Sequence, residues 1–315
     1  MYQPRRRIMV VAATAAAIAL PATALALSGG TQATAGDRPS ASASAAAPAA
    51  ALAPATARPK GIEVVGLTDQ GRLVKFRTAS TDKIRSSARV QGLKDDKWLV
   101  GIDYRVQNKK LYGVGDRGGI YTISTGSNFG RASKVSQLTV PPAGQNFGVD
   151  FNPAANRLRV ISDTGQNLRH NLDDPVGTPA AGATATDGTL AYPGVPPAPP
   201  NTAAQVTAAA YTNNDLDPNT ATTLYDIDTM LDQVVIQSPA NAGLLAPTGK
   251  LTVDASQRAG FDIYMQGTGN RGLAVLNTSG RTRLYDIGLT TGKATRLGSL
   301  PINMQVVDLA VPLTR

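Results

Sequence analysis

A short pattern returns along this chain at long, near-regular intervals, and it constrains the fold more than any other feature. Gly148-Val149-Asp150-Phe151 is its clearest copy, and Gly101-Ile102-Asp103-Tyr104 repeats it. Phe261-Asp262-Ile263 and Val307-Asp308-Leu309 carry the same acid between apolar residues, while Ala209-Ala210-Tyr211 holds Ala at the acid's place. Counted at that place, the intervals are 47, 60, 52 and 46 residues. Short β-rich segments parted by Gly, Asn or Asp follow each copy but the last. After Asp103 they are residues 111–114, 120–123 and 135–140; after Asp150, 158–161 and 167–172. After Ala210 they are 223–227, 234–237 and 244–251; after Asp262, 272–276, 283–287 and 294–297. The joint at 152–156 is a turn, because Pro153 fixes φ and Asn156 tolerates a positive one.

Sets of four short strands with almost no helical periodicity predict an all-β fold, a β-propeller built of four-stranded blades. A sandwich or a β-solenoid is the alternative all-β reading, and neither accounts for the two ends of the domain. The last copy, around Asp308, has no strands after it, and the opening segments 62–67 and 72–76 have no copy before them. Each is the missing part of the other. Joined, they make one blade from both termini and leave no exposed sheet edge. The count is then five blades, with six as the alternative.

Of the +9 formal charge, +5 sits in residues 1–60, where Arg5, Arg6, Arg7, Arg38, Arg58 and Lys60 face only Asp37. The remaining +4 is interspersed with acids, which argues against a nucleic-acid partner. The absence of Cys excludes disulfides, thiolate metal sites, a Cys nucleophile and a lipoprotein anchor. Residues 1–26 read as a signal peptide: Arg5-Arg6-Arg7, an apolar run to Leu20, Pro21, and a small-x-small site at Ala24-Leu25-Ala26. Either Sec or twin-arginine export fits, and no permanent membrane span is expected. Residues 27–60, rich in Ala, Ser and Pro, bury too little to fold and read as a linker. The propeller domain is placed at 61–315, in a protein expected to be secreted or wall-associated and monomeric.

Several of these strings together resemble a bacterial family known as domain of unknown function 4394. They are Gly148 to Pro153, Asn156 to Val160, Ser162 to Arg169, Ala208 to Asn214, Leu111 to Gly115, and Leu284 to Ile287 with Thr291 to Ala294. The resemblance implies an exported, propeller-like domain and carries no activity. The sequence departs from the family pattern at Tyr104-Arg105-Val106 and in the Pro-rich stretch 193–200.

Two groups of residues carry candidate chemistry. Asp103, Asp150, Asp262 and Asp308 fall at one place in four of five repeats, on the strands nearest a propeller's axis. Four carboxylates there suit a hard cation such as Ca²⁺, with Asn152 or Asn213 nearby, or accept backbone N–H groups as a repeated structural latch. Arg157, Arg159 and Arg169 lie on adjacent strands, with Asp163 and Asn167 in the connecting turn and strand. With Asp150, Asn152 and Asn213 they form a candidate ligand site for a carboxylate, phosphate or sulfated sugar, or an internal network fastening one blade to the next. Asn213-Asn214-Asp215-Leu216-Asp217 reads as a solvated loop.

Gly113-Val114-Gly115-Asp116-Arg117-Gly118 matches a phosphate-binding pattern but joins two strands and opens no helix. His170, the only histidine, takes a surface or packing role; Tyr112, Tyr121, Tyr225 and Tyr285 pack blades. Glu63 is the only Glu, so an acid or base would be an Asp. The function expected is a non-catalytic binding or scaffold module whose partner is an envelope polymer, a protein or a small anion. A Ca²⁺-assisted hydrolase or lactonase using the channel carboxylates is the alternative.

Overall fold

The computed structural model describes residues 61–195, 198–267 and 269–313. The expected signal peptide and linker lie outside them. Five four-stranded antiparallel sheets form the blades, and β-strand is the main regular element, relieved by one 3₁₀ turn at Ala240–Ala242. No helix among the described residues is long and apolar enough to cross a membrane.

The first blade takes its innermost strand from the end of the chain. Val306–Ala310 pairs antiparallel with Glu63–Thr68, in the register Val65 to Ala310 and Leu67 to Asp308. Arg72–Arg77 and Ser86–Arg89 complete that sheet. The other innermost strands are Leu99–Arg105, Phe147–Asn152, Val206–Tyr211 and Ala259–Gln266, which open the second to fifth blades. Closure by the two termini, expected from the unpaired ends, is what holds the ring shut.

Sequence and structure differ in the outer parts of the blades. The fourth strand of the second blade is Ala132–Gln137 rather than 135–140. The third blade gains a fourth strand, Thr184–Thr186, and beyond it a hairpin of Ala191–Tyr192 with Asn201–Thr202 flanks the Pro-rich stretch. These are two- and three-residue strands, too short to show alternation.

Five clusters of buried side chains fill the five clefts between neighbouring blades. Strand alternation deals residues to the two sides: Val64 and Val74 of the first blade face the fifth, and Val65, Leu67 and Leu73 face the second. Each large side chain so buried stabilises the ring by about 1.5–3 kcal/mol. The cleft between the third and fourth blades is the exception. Leu158 and Val160 face the second blade, leaving Arg157, Arg159 and Ile161 on the face toward the fourth. Only Ile161 of these is apolar, so this cleft is closed by ions as well as by packing.

Candidate functional site

The innermost strands approach one another too closely for a side chain two residues before three of the four acids, where Gly101, Gly148 and Gly260 stand. A Cβ on Gly260 would stand 2.4 Å from the Asp308 Cα, and one on Gly148 would stand 2.5 Å from the Ala209 nitrogen. Those small residues draw the strands into a tight hub and bring the four acids inside it. All four are buried.

Each carboxylate accepts a backbone N–H from the next blade around the ring. Asp308 Oδ2 accepts from Ile102 at 2.7 Å, Asp103 Oδ2 from Phe151 at 2.8 Å, Asp150 Oδ1 from Tyr211 at 3.1 Å, and Asp262 Oδ2 from Val311 at 2.6 Å. The circuit is broken only from the fourth blade to the fifth, where Ala210 has no carboxylate. There amides take over: Asn214 Nδ2 donates to the Ile263 carbonyl at 2.6 Å, and Asn270 Nδ2 donates to Asn213 Oδ1 at 2.7 Å.

The hub is also a concentration of negative charge. Asp103, Asp150 and Asp262 each present an oxygen, and these lie within 4.8 Å of one another. Burial, followed by mutual repulsion, raises Asp103 and Asp150 well above the usual carboxylate range. Burial likewise raises Asp308, and it pushes Asp262 up to about 7.

The innermost strands begin at a polar mouth. Thr68, Asp69, Trp98, Gln145, Asn146, Gln257 and Arg258 ring a cavity of about 210 Å³ floored by Leu99, Phe147, Ala259 and Val307. Trp98 is 52% exposed there, although it is the only tryptophan. Its backbone is pinned by Asp116, whose N–H donates to the Trp98 carbonyl at 3.0 Å and whose Oδ1 accepts the Lys97 N–H at 2.7 Å. Asp116 belongs to the glycine-rich hairpin, which thus positions an indole rather than a phosphate. Asp163 fixes the neighbouring loop by accepting from the Gln145 and Asn146 N–H groups at 3.1 Å each. Asn146 Nδ2 donates to Asp163 Oδ2 at 2.9 Å and to Gln257 Oε1 at 3.2 Å, and Arg258 pairs with Asp69 at 3.0 Å.

The arginines gather at the other end of the hub, between the third and fourth blades. Arg157, Arg159, Arg169, Asn152, Tyr211 and Asn241 line a cavity of about 300 Å³. Their donors are already engaged. Arg159 donates to Asp187 at 2.6 Å, Asn167 at 2.7 Å, Asn241 at 2.8 Å and the Tyr211 hydroxyl at 3.2 Å. Arg169 donates to the same Asp187 at 3.0 Å, and Arg157 to Asp174 at 2.9 Å and to the carbonyls of Ala155, Asn156 and Val176. Two of these partners, Tyr211 and Asn241, belong to the fourth blade, so the network fastens one blade to the next. Asp226 of the fourth blade is buried with both oxygens unpartnered, and burial raises it well above its usual range.

The sequence-selected residues therefore fall in separate places. Asp103, Asp150, Asp262 and Asp308 meet in the hub, and Arg157, Arg159, Arg169 and Asn152 share the cavity between blades. Asn167 is spent on the Arg159 network, Asp163 serves the mouth, and Asn213 bridges the fourth and fifth blades. His170 is fully buried, between Ser136 and Thr184, which settles its role as packing rather than surface. The mouth residues Trp98, Gln145, Asn146, Gln257 and Arg258 were not selected. Their signal is positional: Trp98, Asn146 and Arg258 each stand one residue before an innermost strand, and Gln145 and Gln257 two residues before.

The family described as "Domain of unknown function (DUF4394)" matches residues 72–310. No curated protein gives a significant match. Among solved structures, hydrazine synthase of Kuenenia stuttgartiensis is 9% identical with a TM-score of 0.38, over 70% of this chain and 53% of that one. The chain thus spans about half the length of that protein. A Bacteroides thetaiotaomicron protein of unknown function is 11% identical with a TM-score of 0.44, over 82% of this chain and 66% of that one. An auxiliary nutrient binding protein of the same species is 10% identical with a TM-score of 0.40, over 79% and 61%.

Proposed function

The chain belongs to the DUF4394 family, and we propose that its propeller is an exported, non-catalytic binding module that takes a saccharide chain of the cell envelope at the channel mouth. One observation carries this reading: the protein's only indole stands half-exposed at the rim of a polar cavity, among amides that are held in place. An aromatic face stacks on the C–H face of a sugar ring, and Asn and Gln side chains offer both a donor and an acceptor to hydroxyl groups.

Catalysis fits this geometry poorly. A hydrolase needs an acid and a base, or a metal-bound water, within reach of substrate. The hub carboxylates are sealed beneath the apolar floor of the mouth, and Asp69, the acid lining the mouth, is paired with Arg258. Export is part of the proposal, and it rests on the charged, apolar and small-residue sequence of residues 1–26.

Because Trp98 is the only tryptophan, its fluorescence reports on the mouth without labelling. Titration with soluble cell-wall fragments is expected to shift that emission saturably. Gln257→Ala, which keeps the reporter, is expected to weaken binding about tenfold, the worth of one lost hydrogen bond of about 1.4 kcal/mol. Unshifted emission across the fragments, together with equal retention of wild type and Trp98→Ala on insoluble walls, refutes the reading.

A further inference from the structure

We propose that the hub is a cation site: Asp103, Asp150 and Asp262 hold one Ca²⁺ on the propeller axis, and Asp308, despite its equivalent place in the repeat, is not a ligand.

The first ground is the proximity of three carboxylate oxygens from three different blades, within 4.8 Å of one another. The second is independent of proximity. Asp262 is 2% exposed, its Oδ2 accepts the Val311 N–H, and its Oδ1 is buried with no partner at all. A buried carboxylate oxygen without a donor loses hydration and recovers nothing, so something at that spot is required to face it. No side-chain cation offsets the charge: no Lys or Arg among the described residues is ion-paired or hydrogen-bonded to any of the four acids.

Asp308 differs in chemistry. Both its oxygens are engaged by backbone, Oδ2 by Ile102 and Oδ1 by its neighbour Leu309 at 2.9 Å. Each of its oxygens already accepts a backbone N–H, whereas Asp262 keeps one oxygen that accepts none. The fourth blade contributes only the methyl group of Ala210 at the acid's place, between Asp150 and Asp262. A hard divalent ion with all-oxygen ligands matches the donor set, and Ca²⁺ tolerates a site not shaped as a regular octahedron, which Mg²⁺ does not. Three carboxylates carry enough charge to bind it, and the ion would tie the second, third and fifth blades together.

The experiment is metal analysis of the purified full chain, followed by unfolding and refolding in EDTA and re-addition of Ca²⁺ or Mg²⁺. About one equivalent of Ca²⁺ is expected before chelation. After refolding, Ca²⁺ at a hundredfold excess over its dissociation constant is expected to raise the melting temperature by about 5–10 °C, and Mg²⁺ by much less. Asp262→Asn keeps an acceptor for Val311 and is expected to abolish the response, whereas Asp308→Asn is expected to retain it. Metal-free protein that melts identically with and without Ca²⁺ overturns the proposal, as does an equal response to Mg²⁺ or an undiminished response in Asp262→Asn. If the variants fail to fold, the metal content and Ca²⁺ response of the wild type still decide it. Trp98 emission with wall fragments is read separately, so either proposal can fail alone.

Discussion

Lowering the pH from 7.5 to 5 loads the ring through His170. The imidazole lies fully buried between two blades, with Nε2 2.9 Å from the Ser136 hydroxyl and Nδ1 2.9 Å from the Thr184 hydroxyl. Both partners are neutral, so nothing there compensates a positive charge. Burial lowers its pKa from 6.5 to about 4, against a smaller opposing effect from a backbone hydrogen bond with Ala183. The unfolded chain binds its proton near 6.5 and the folded one resists until about 4. Stability is therefore fully present above 6.5 and is lost as the pH falls through that window. A shift of this size corresponds to about 3 kcal/mol once pH 4 is passed, and to about 2 kcal/mol between pH 7.5 and 5. The buried acids Asp226 and Asp262 are shifted upward and contribute with the opposite sign, so the readout is a difference between proteins. Urea unfolding of wild type and His170→Gln is measured at pH 7.5, 6.5, 5.5 and 5. The wild type is expected to lose about 2 kcal/mol more than the variant over that range. Parallel profiles, or an NMR titration of the ring centred at pH 6 or above, would refute the reasoning.

Two further expectations concern the packing of the ring. Gly148→Ala forces a Cβ to 2.5 Å from the Ala209 nitrogen and 2.8 Å from the Ala208 carbonyl carbon, both backbone atoms of the next blade. It is expected to cost about 1–3 kcal/mol or more and lower the melting temperature by several degrees, while Gly126→Ala, with nothing within 4 Å, leaves it unchanged. Arg159→Ala strands the carboxylate of Asp187 in a buried site shared only with Arg169. It is expected to cost about 3–5 kcal/mol in urea unfolding, far beyond the effect of removing an exposed pair such as Arg271 with Asp286.

The ring was legible because its logic is repeated. Acid-bearing innermost strands, small turns between segments and two incomplete ends are local features, and each survives as a pattern in one dimension. Asn156 illustrates this: the turn chemistry placed it, and its φ is +54°. What did not show was whatever depends on a neighbour far along the chain. Thr184–Thr186 is a strand because His170 and the Thr139 N–H hold Thr184 in place, and Ala191 is held by a parallel bridge to Leu244. The mouth is the same case on a larger scale, since Trp98, Asn146 and Gln257 become neighbours only when the ring closes. The arginines were visible as a dense polar string, but whether they served a ligand or a cleft depended on Tyr211 and Asn241, 52 and 82 residues away from Arg159.

The division of labour in this propeller follows from where hydrogen-bonding capacity is spent. In the hub, a backbone N–H of the next blade occupies one oxygen of every carboxylate, and for Asp103, Asp150 and Asp262 the glycine two places earlier lets the strands come close enough for that bond. These positions are bound by the geometry of closure, and removing the acceptor at any one leaves an unpaired N–H inside the ring. The residue just before an innermost strand is under no such obligation. Trp98, Asn146 and Arg258 occupy equivalent places one residue before an innermost strand and line the mouth above the blades. If the mouth binds an extended, hydroxyl-rich chain as proposed, a rigid hub would hold side chains from different blades at constant separation and so reduce the ordering cost of that binding.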